Sequence, residues 1–431
     1  NFCEKMSTKT TARKRVVPSK YGKTTVGDDG EEKVVMLKDN AQRWKKWWTR
    51  FYSTWLMIGG FALLIWAGHL ALIMFVVALQ LGSFREIMNI REEKMKRKKQ
   101  SMDEEDADDL IPTHKLLDSW FFAVTLYSIN ASTFFARFPS FFQANSVSYF
   151  LMQHHRFLCF SFYIMGFIFF VITLEKGKYK KQFQKLAWSI ITMLVVAYAG
   201  SFHVVNILQG LYWFLLPCLL VICNDIWAFV WGFHFGRTPL IQLSPRKTWE
   251  GFIGAFFSTI IFGFFFAYLM AQFDFLICPR DEFLSFSGEC TPHPVFELTT
   301  YHLPSELVSL LSHIGFNQTS IQLYPVQLHS IALSIFASLI APFGGFFGSG
   351  FKRAFEIDDF GDSIPGHGGI TDRMDCQFIM GGCSSVYYST FVHLAPVSIA
   401  GMRAALLTLT SDQQVQIFNE LSELLKDKGI L

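Results

Sequence analysis

Charged side chains are scarce in this sequence. They make up 17% of its 431 residues, whereas soluble proteins average about 25%. Apolar residues supply 51% of the chain, and 48 residues are phenylalanine. Runs of about 18 or more apolar residues are long enough to cross a bilayer as helices. The composition therefore excludes an ordinary soluble protein and predicts an integral membrane protein.

Closely spaced cysteine pairs are also absent, because none of the eight cysteines forms a CxxC motif. A zinc site is therefore not expected. Four cysteines lie in or beside apolar segments and are predicted to pack in the core: Cys159, Cys218, Cys223 and Cys383. Cys278 and Cys290 instead flank a polar stretch, where an oxidising lumen would allow a disulfide between them.

Nine apolar segments predict an all-α, polytopic membrane fold with about nine transmembrane helices. Only Gly68-His69 separates the first two, which predicts a tight helical hairpin. The sixth carries Asn224 and Asp225 within its apolar run. The segments cover approximately residues 52–67, 69–84, 117–135, 157–174, 186–204, 208–233, 252–273, 328–348 and 378–400.

The segments divide the chain into four parts. Residues 1–43 are polar and lack an apolar period, so they are predicted to be a disordered cytosolic arm. The motif QRWKKWWTR that follows mixes Lys and Arg with Trp, as interfacial anchors do. Residues 44–205 form an N-terminal membrane region, 206–400 a catalytic membrane region with a lumenal loop at 274–327, and 401–431 a C-terminal tail.

The orientation follows from Lys and Arg in short loops, which favour the cytosolic side. Loops 85–115 and 175–185 are basic and are predicted to be cytosolic, whereas loops 136–156 and 274–327 hold few basic residues and are predicted to be lumenal. This alternation places residues 237–250 and 352–375 in the cytosol and the C-terminal tail in the lumen. A glycosylation sequon at Asn317 and the cysteine pair on the lumenal side favour the endoplasmic reticulum.

The first of two polar stretches at cytosolic segment ends covers residues 224–256. Asp225 lies in an apolar run, where an ionisable residue costs about 2.5–3.5 kcal/mol; it is either functional or the partner of a buried Arg. Ser244-Pro245 predicts a helix start, with Ser as the cap and Pro in the first turn. Arg246, Lys247 and the free N–H groups there would bind an anion. The alternative is that both basic chains extend to lipid headgroups.

The second stretch, residues 349–376, concentrates charged residues beside three glycines and a histidine. Asp372 and Asp375 share a helix face, and convergent carboxylates suit Mg²⁺. The glycines permit close backbone approach, and arginines bind phosphate bidentately. A charged loop with internal ion pairs is the alternative, but it leaves the glycines and the histidine unexplained. The stretch predicts metal-assisted phosphoryl or nucleotidyl transfer.

On these residues the chain resembles the phosphatidate cytidylyltransferases, or CDP-diacylglycerol synthases, of the eukaryotic branch. The resemblance extends from about residue 45 onward. At one position it departs from the family pattern, since Asp358 stands where the family has Lys. The positions that match the family signature are Ser349, Lys352, Arg353, Asp359, Gly361, Pro365, His367, Gly368, Gly369, Asp372, Arg373 and Asp375, with Asn224, Asp225, residues 236–239 and residues 244–251 in the earlier stretch.

The resemblance implies that the phosphate of phosphatidic acid attacks the α-phosphorus of CTP, with Mg²⁺ as cofactor. Asp359, Asp372 and Asp375 would form the metal centre. The predicted catalytic residues are Lys352, Arg353, His367, Asp372, Arg373 and Asp375, and Gly368 and Gly369 would let phosphates approach. The predicted nucleotide or lipid-phosphate contacts are Asn224, Asp225, Ser244, Arg246, Lys247 and Thr248.

The expected partners are CTP, phosphatidic acid and membrane lipids, with no nucleic acid; a homodimer fits the resemblance. One alternative function is a CTP-dependent polyprenol or phytol kinase, which transfers the γ-phosphoryl group to an alcohol. Another is a non-catalytic scaffold or a transporter. A transporter would place its charges at mid-membrane rather than at the cytosolic rim.

Overall fold

Helices form nearly all of the structure. The computed structural model describes residues 31–100, 112–278, 292–303, 319–392 and 411–427, with the single residues 308 and 406. The helices are α1 (Glu31–Ala67), α2 (His69–Gln100), α3 (Pro112–Arg137), α4 (Pro139–Gln143), α5 (Ser146–Ile172), α6 (Tyr179–Thr192), α7 (Ala199–Gln209), α8 (Leu211–Phe235), α9 (Trp249–Ala271), α10 (Asp274–Ile277), α11 (Pro325–Leu339), α12 (Pro342–Phe355), α13 (Thr371–Tyr387) and α14 (Ser411–Asp427). Short π-helical segments follow α6 (Met193–Tyr198) and α13 (Tyr388–Val392), and a 3-10 turn covers Pro294–Phe296.

Two antiparallel hairpins interrupt the helices. The first pairs β1 (Pro239–Ile241) with β2 (Ser244–Thr248), and the second pairs β3 (Thr299–His302) with β4 (Ser320–Leu323). Neither hairpin extends into a larger sheet within the described part of the chain. The predicted all-α, polytopic membrane fold is therefore confirmed.

Within the described ranges, seven helical stretches are long and apolar enough to cross a membrane: Trp47–Ala67, His69–Glu93, Ser146–Ile172, Tyr179–Gln209, Leu211–Phe235, Trp249–Ala271 and Pro325–Phe355. The predicted count of nine is not confirmed. Of the other two predicted segments, 117–135 coincides with α3, whose hydropathy is lowered by its Ser, Asn and Thr residues. Segment 378–400 begins in α13, and its residues after Val392 lie outside the described ranges.

The chain divides into two compact units, residues 1–55 and 56–431. In the first, the rings of the predicted interfacial anchor are exposed and contact each other, with Trp47 stacked on Phe51 at 5.4 Å and Trp48 on Tyr52 at 5.5 Å. Helix α1 begins at Glu31 and includes residues 31–43 of the predicted arm. Those residues include Glu, Lys, Met and Leu, which favour helices. Residues 1–30 lie outside the described ranges.

The core of the second unit is centred on α7 and α8. Tyr212, Trp213 and Leu216 are almost completely buried there and pack among apolar residues of α2, α9 and α11. Helix α9 packs along α8 and α11, and α13 packs along α7 and α8. As a result, α8 and α13, which carry the two polar stretches, are neighbours.

Helix α2 extends beyond the predicted membrane segment. The prediction that residues 85–115 form a loop is therefore wrong for residues 85–100. The helix continues to Gln100, and both Glu86 and Arg91 are buried. Arg91 pairs with Asp118 of α3, and it donates to the Ser189 hydroxyl of α6 at 3.3 Å. A buried charge is tolerated when it is paired and hydrogen-bonded, and such partners are invisible in a local count of basic residues.

Other predictions can be compared directly with the structure. Gly68 has a φ of 95° and separates α1 from α2, and the Phe61 and Phe75 rings meet across the break at 6.3 Å. The four cysteines predicted to be core residues are free and are buried or half-buried. Cys278 is disulfide-bonded, while Cys290 and the sequon residue Asn317 lie outside the described residues.

Candidate active site

The β1–β2 hairpin replaces the helix start that was predicted at Ser244-Pro245. Residues 244–248 form strand β2, and α9 begins only at Trp249. The helix cap is Thr248, whose Oγ1 accepts a hydrogen bond from the Gly251 N–H at 3.2 Å. Proline is tolerated on edge strands because its missing N–H is not needed there. A Ser-Pro pair can therefore begin a strand here, and the prediction was wrong.

Glu250 fixes the start of this hairpin. Its carboxylate accepts hydrogen bonds from the backbone N–H groups of Arg237 at 3.1 Å and Thr238 at 3.2 Å, and from the Thr238 hydroxyl at 2.8 Å. The turn between α8 and β1 requires Gly236, because a Cβ there would overlap the carbonyl oxygen of Gly232. The hairpin is thereby held close to the end of α8.

A cavity of about 290 Å³ lies among α8, the hairpin, α9 and α12. Its lining has a polar and an apolar part. The polar part contains all six residues predicted to contact nucleotide or lipid phosphate: Asn224, Asp225, Ser244, Arg246, Lys247 and Thr248. The apolar part consists of Ala228, Phe229, Leu240, Phe252, Pro342 and Phe346. The cavity therefore joins hydrogen-bonding side chains to an apolar wall.

Asn224 lines this cavity and carries an unsatisfied hydrogen-bond acceptor. Its side chain is only 4% exposed, and its Oδ1 has no hydrogen-bond partner among the described residues. Leaving such a group unsatisfied costs about 1–3 kcal/mol. The site therefore suits a ligand that brings either a donor or a cation to Asn224.

Asp375 and Lys247 approach the same part of α12 from different elements. A Cβ added at Gly345 of α12 would lie 3.6 Å from Asp375 Oδ2 and 3.6 Å from Lys247 Nζ. Asp225 of α8 interacts electrostatically with Lys247 and Arg373, and also with Asp375. Carboxylates from α8 and α13 therefore belong to one charged cluster at the cavity.

The negative charge of the Asp375 carboxylate is electrostatically unfavourable in this position. Burial raises its pKa above the ordinary value, and the hydrogen bond from the Cys376 N–H to Oδ1 at 2.7 Å opposes that increase. The negative charge of Asp225 raises the pKa of Asp375 further, and Lys247 lowers it. Two carboxylates that share Lys247 fit a divalent cation with oxygen ligands.

Asp372 organises the loop that precedes α13. Its Oδ1 accepts a hydrogen bond from Lys352 Nζ at 2.7 Å, and its Oδ2 accepts from the N–H groups of Phe360 at 2.9 Å and Gly369 at 3.1 Å. The ring of Phe360 is buried and stacks on Phe351 at 5.1 Å. The Lys352–Asp372 ion pair within the motif is therefore structural. This agrees in part with the alternative interpretation, a charged loop with internal ion pairs.

The Pro-Gly-His-Gly-Gly turn brings His367 and Arg373 together. The guanidinium of Arg373 donates to the His367 carbonyl oxygen at 2.8 and 3.3 Å. Gly368 has a φ of 81°, and a Cβ there would lie 3.2 Å from Cγ of Asp359. The turn therefore requires glycine next to Asp359.

The predicted metal ligands do not form a compact set. No three His, Cys, Asp or Glu residues in the described ranges could jointly hold a metal ion. Of the three predicted carboxylates, Asp375 joins the cavity cluster, whereas Asp372 faces the loop and Asp359 lies against Gly368. Arg353 and Asp358 are exposed. The assignment of Asp359 and Asp372 as ligands stays a prediction.

Glu86 was missed at the sequence level. Its carboxylate accepts hydrogen bonds from the backbone at the start of α13. The sequence feature that favours a helix here is weak: Gly82 and Glu86 are one helical turn apart, at the end of the apolar segment 69–84. Its position inside a basic stretch obscured that spacing.

Comparisons with known proteins identify the family of the chain. Residues 48–391 match the model described as the Cytidylyltransferase family. Phosphatidate cytidylyltransferase 1 from Homo sapiens is 44% identical over 399 residues, which cover 92% of this chain and 82% of the relative. Phosphatidate cytidylyltransferase 2 from Mus musculus is 41% identical over 412 residues, covering 95% and 88%. Phosphatidate cytidylyltransferase 1 from Arabidopsis thaliana is 40% identical over 398 residues, covering 91% and 91%.

The close approach of α12 to α13 can be tested at Gly344. A Cβ there would overlap the carbonyl oxygen of Asp375, so Gly344→Ala should destabilise the protein by about 1–3 kcal/mol. Gly350→Ala in the same helix is the matched control, because its nearest neighbour, Leu243, lies 3.8 Å away. We expect a lower thermal unfolding midpoint in detergent for Gly344→Ala only. Equal midpoints would contradict the packing.

Proposed function

The chain belongs to the Cytidylyltransferase family, and we propose that it transfers the cytidylyl group of CTP to phosphatidic acid, giving CDP-diacylglycerol and pyrophosphate. The cavity carries this proposal. It joins basic and hydroxyl side chains of β2 to a wall of aromatic and aliphatic side chains. A reaction between a water-soluble nucleotide and a membrane lipid needs both kinds of surface.

In this reaction a phosphate oxygen of phosphatidic acid forms a bond to the α-phosphorus of CTP. The bond from that phosphorus to the bridging oxygen breaks, and pyrophosphate leaves with the electron pair. A phosphate monoester is largely ionised at neutral pH because its second pKa is about 6, so no side chain has to remove a proton. The main obstacle is repulsion between two anions. Preorganised positive charge at the site therefore supplies most of the catalysis.

The basic side chains divide into two groups. Arg246 and Lys247 line the cavity and would bind phosphate oxygens there. Lys352, Arg353, His367 and Arg373 belong to the loop region and would position phosphates from the other side. Arg373 uses part of its guanidinium on the His367 carbonyl, and its remaining N–H groups are suited to a phosphate. Lys352 would position a phosphate while one of its three ammonium N–H groups stays bonded to Asp372.

A divalent cation, Mg²⁺, would be held by Asp375 with Asp225. The fit rests on two carboxylates that share one lysine and on a buried acceptor without a donor. Mg²⁺ typically uses one or two carboxylates together with substrate phosphates. When bound, the cation neutralises charge on the triphosphate and on the pyrophosphate leaving group. Asp359 and Asp372 remain predicted ligands, although the three donors on Asp372 favour a role in loop structure.

Phosphatidic acid would enter from the membrane. Phe229, which is 72% exposed, lies on a helix long enough to span a bilayer and also lines the cavity. The acyl chains would therefore follow this face of α8 while the phosphate reaches Arg246 and Lys247. From the basic loops we propose that the site faces the cytosol, in the endoplasmic reticulum membrane. A homodimer is proposed from the resemblance alone.

The transfer can be measured with CTP that is labelled either at the α- or at the γ-phosphorus. Purified protein is incubated with Mg²⁺ and vesicles that contain phosphatidic acid together with a polyprenol and phytol. We expect α-label in the lipid product and γ-label in pyrophosphate. Label from the γ-position on a polyprenol or phytol would support the kinase instead, and no turnover of either label would support a non-catalytic protein.

Asp375→Asn tests the charged cluster. It keeps the size of the side chain but removes its charge, so we expect the rate of CDP-diacylglycerol formation to fall about 10²–10³-fold with normal expression. The matched control is Asp362→Asn, because Asp362 is an exposed aspartate of the loop that precedes α13. The control should retain activity. A wild-type rate for Asp375→Asn would exclude the cation assignment.

A further inference from the structure

We propose that Glu86 of α2 is a positioning residue for the transferase site: it caps α13 from a distant helix and so holds residues 361–371 in their active arrangement. The proposal rests on the proposed function, because the active arrangement is the one in which the transfer takes place. The capping contact itself does not depend on that function.

The Glu86 side chain is 5% exposed and faces the loop rather than water. Its Oε1 accepts a hydrogen bond from the Ile370 N–H at 2.8 Å, and its Oε2 accepts one from the Thr371 N–H at 2.9 Å. The Ser363 hydroxyl also donates to Oε1. One carboxylate therefore joins both ends of the loop to α2.

Helix α13 has no cap of its own. The residue at its cap position is Ile370, and no side chain there hydrogen-bonds to the first turn. The first N–H groups of a helix need partners from outside the helix, and carboxylates are favoured there because of the helix dipole. Glu86 supplies this partner from a position nearly three hundred residues earlier in the chain.

The helix start also compensates the charge of Glu86. No Lys or Arg of the described ranges forms an ion pair with it. A buried carboxylate without such a partner is costly unless several N–H groups bind it. If the loop moved away, Glu86 would lose these donors. The contact therefore restrains the loop strongly.

The backbone on both sides of the contact is shaped around Glu86. A Cβ at Gly369 would lie 2.8 Å from Oε2, and a Cβ at Gly361 would lie 3.1 Å from Oε1. One turn earlier in α2, a Cβ at Gly82 would lie 2.5 Å from Cδ1 of Ile370. The loop consequently lies directly on α2 at three glycines, and side chains at these positions would displace it.

This arrangement changes where substrate phosphates can bind. A helix start after a glycine-rich turn is a common anion site. Here the N–H groups of Gly369, Ile370 and Thr371 already donate to Asp372 and Glu86. The site therefore relies on side chains such as Lys247 and Arg373 for phosphate, and Glu86 determines where α13 begins and how Asp375 and Arg373 are presented.

Glu86→Gln tests the proposal. Because Oε1 and Oε2 each accept from a different backbone N–H, either orientation of the amide places its NH₂ group against a donor. We expect faster hydrogen–deuterium exchange confined to residues 361–371, measured on the full-length protein in detergent without substrate. We also expect kcat/KM for CTP to fall about 10–100-fold per folded molecule, as is typical when a supporting residue of a site is lost.

The matched control is Glu92→Gln, because Glu92 is on the same helix but pairs with Lys115 near the surface. It should change neither exchange in the loop nor kcat/KM. Glu86→Asp keeps the charge on a shorter side chain, and its exchange and activity should fall between those of wild type and Glu86→Gln. If Glu86→Gln does not fold, Glu86→Asp carries the test.

Two results would overturn the proposal. One is unchanged exchange of residues 361–371 in Glu86→Gln or Glu86→Asp. The other is faster exchange with a wild-type kcat/KM, which would make Glu86 a structural residue only. A wild-type protein without transferase activity would refute the proposed function while leaving the exchange result readable.

Discussion

Two carboxylates, Glu86 and Asp372, satisfy the backbone at the start of α13, and the arrangement of the candidate site depends on them. Together they accept hydrogen bonds from three consecutive N–H groups, those of residues 369–371. With α13 begun at this point, Arg373 turns back onto the carbonyl of His367. Asp375, one helical turn after Thr371, lies against α12 beside Lys247.

The cost of burying charge in a membrane protein explains which groups are committed and which are available. Arg91 is matched by Asp118, Lys352 by Asp372, and Glu86 by the start of α13. Once these pairs are formed, the groups at the cavity remain less completely matched: Asp225, Asp375 and Lys247 share one cluster, and Asn224 has an unsatisfied oxygen. Incomplete compensation of buried polar groups is expected where a ligand completes the set.

The sequence predicted those features that depend on composition and on local motifs. Apolar runs predicted the helical membrane fold, and the first polar stretch predicted six residues that line one cavity, from Asn224 to Thr248. What failed depends on contacts that form only in the folded chain. Ser244-Pro245 resembled a helix start because its strand partner is recognisable only in the folded hairpin. Glu86 fell within a predicted loop because its partners lie 284 and 285 residues later in the chain.

The most direct measurement is a structure of the wild-type protein with Mg²⁺ and an unreactive CTP analogue. We expect the triphosphate against Arg246 and Lys247 in the cavity, a cation held by Asp225 and Asp375, and Glu86 still bound to the start of α13. A triphosphate bound instead to the N–H groups of residues 369–371, with Glu86 displaced, would contradict this account of the site.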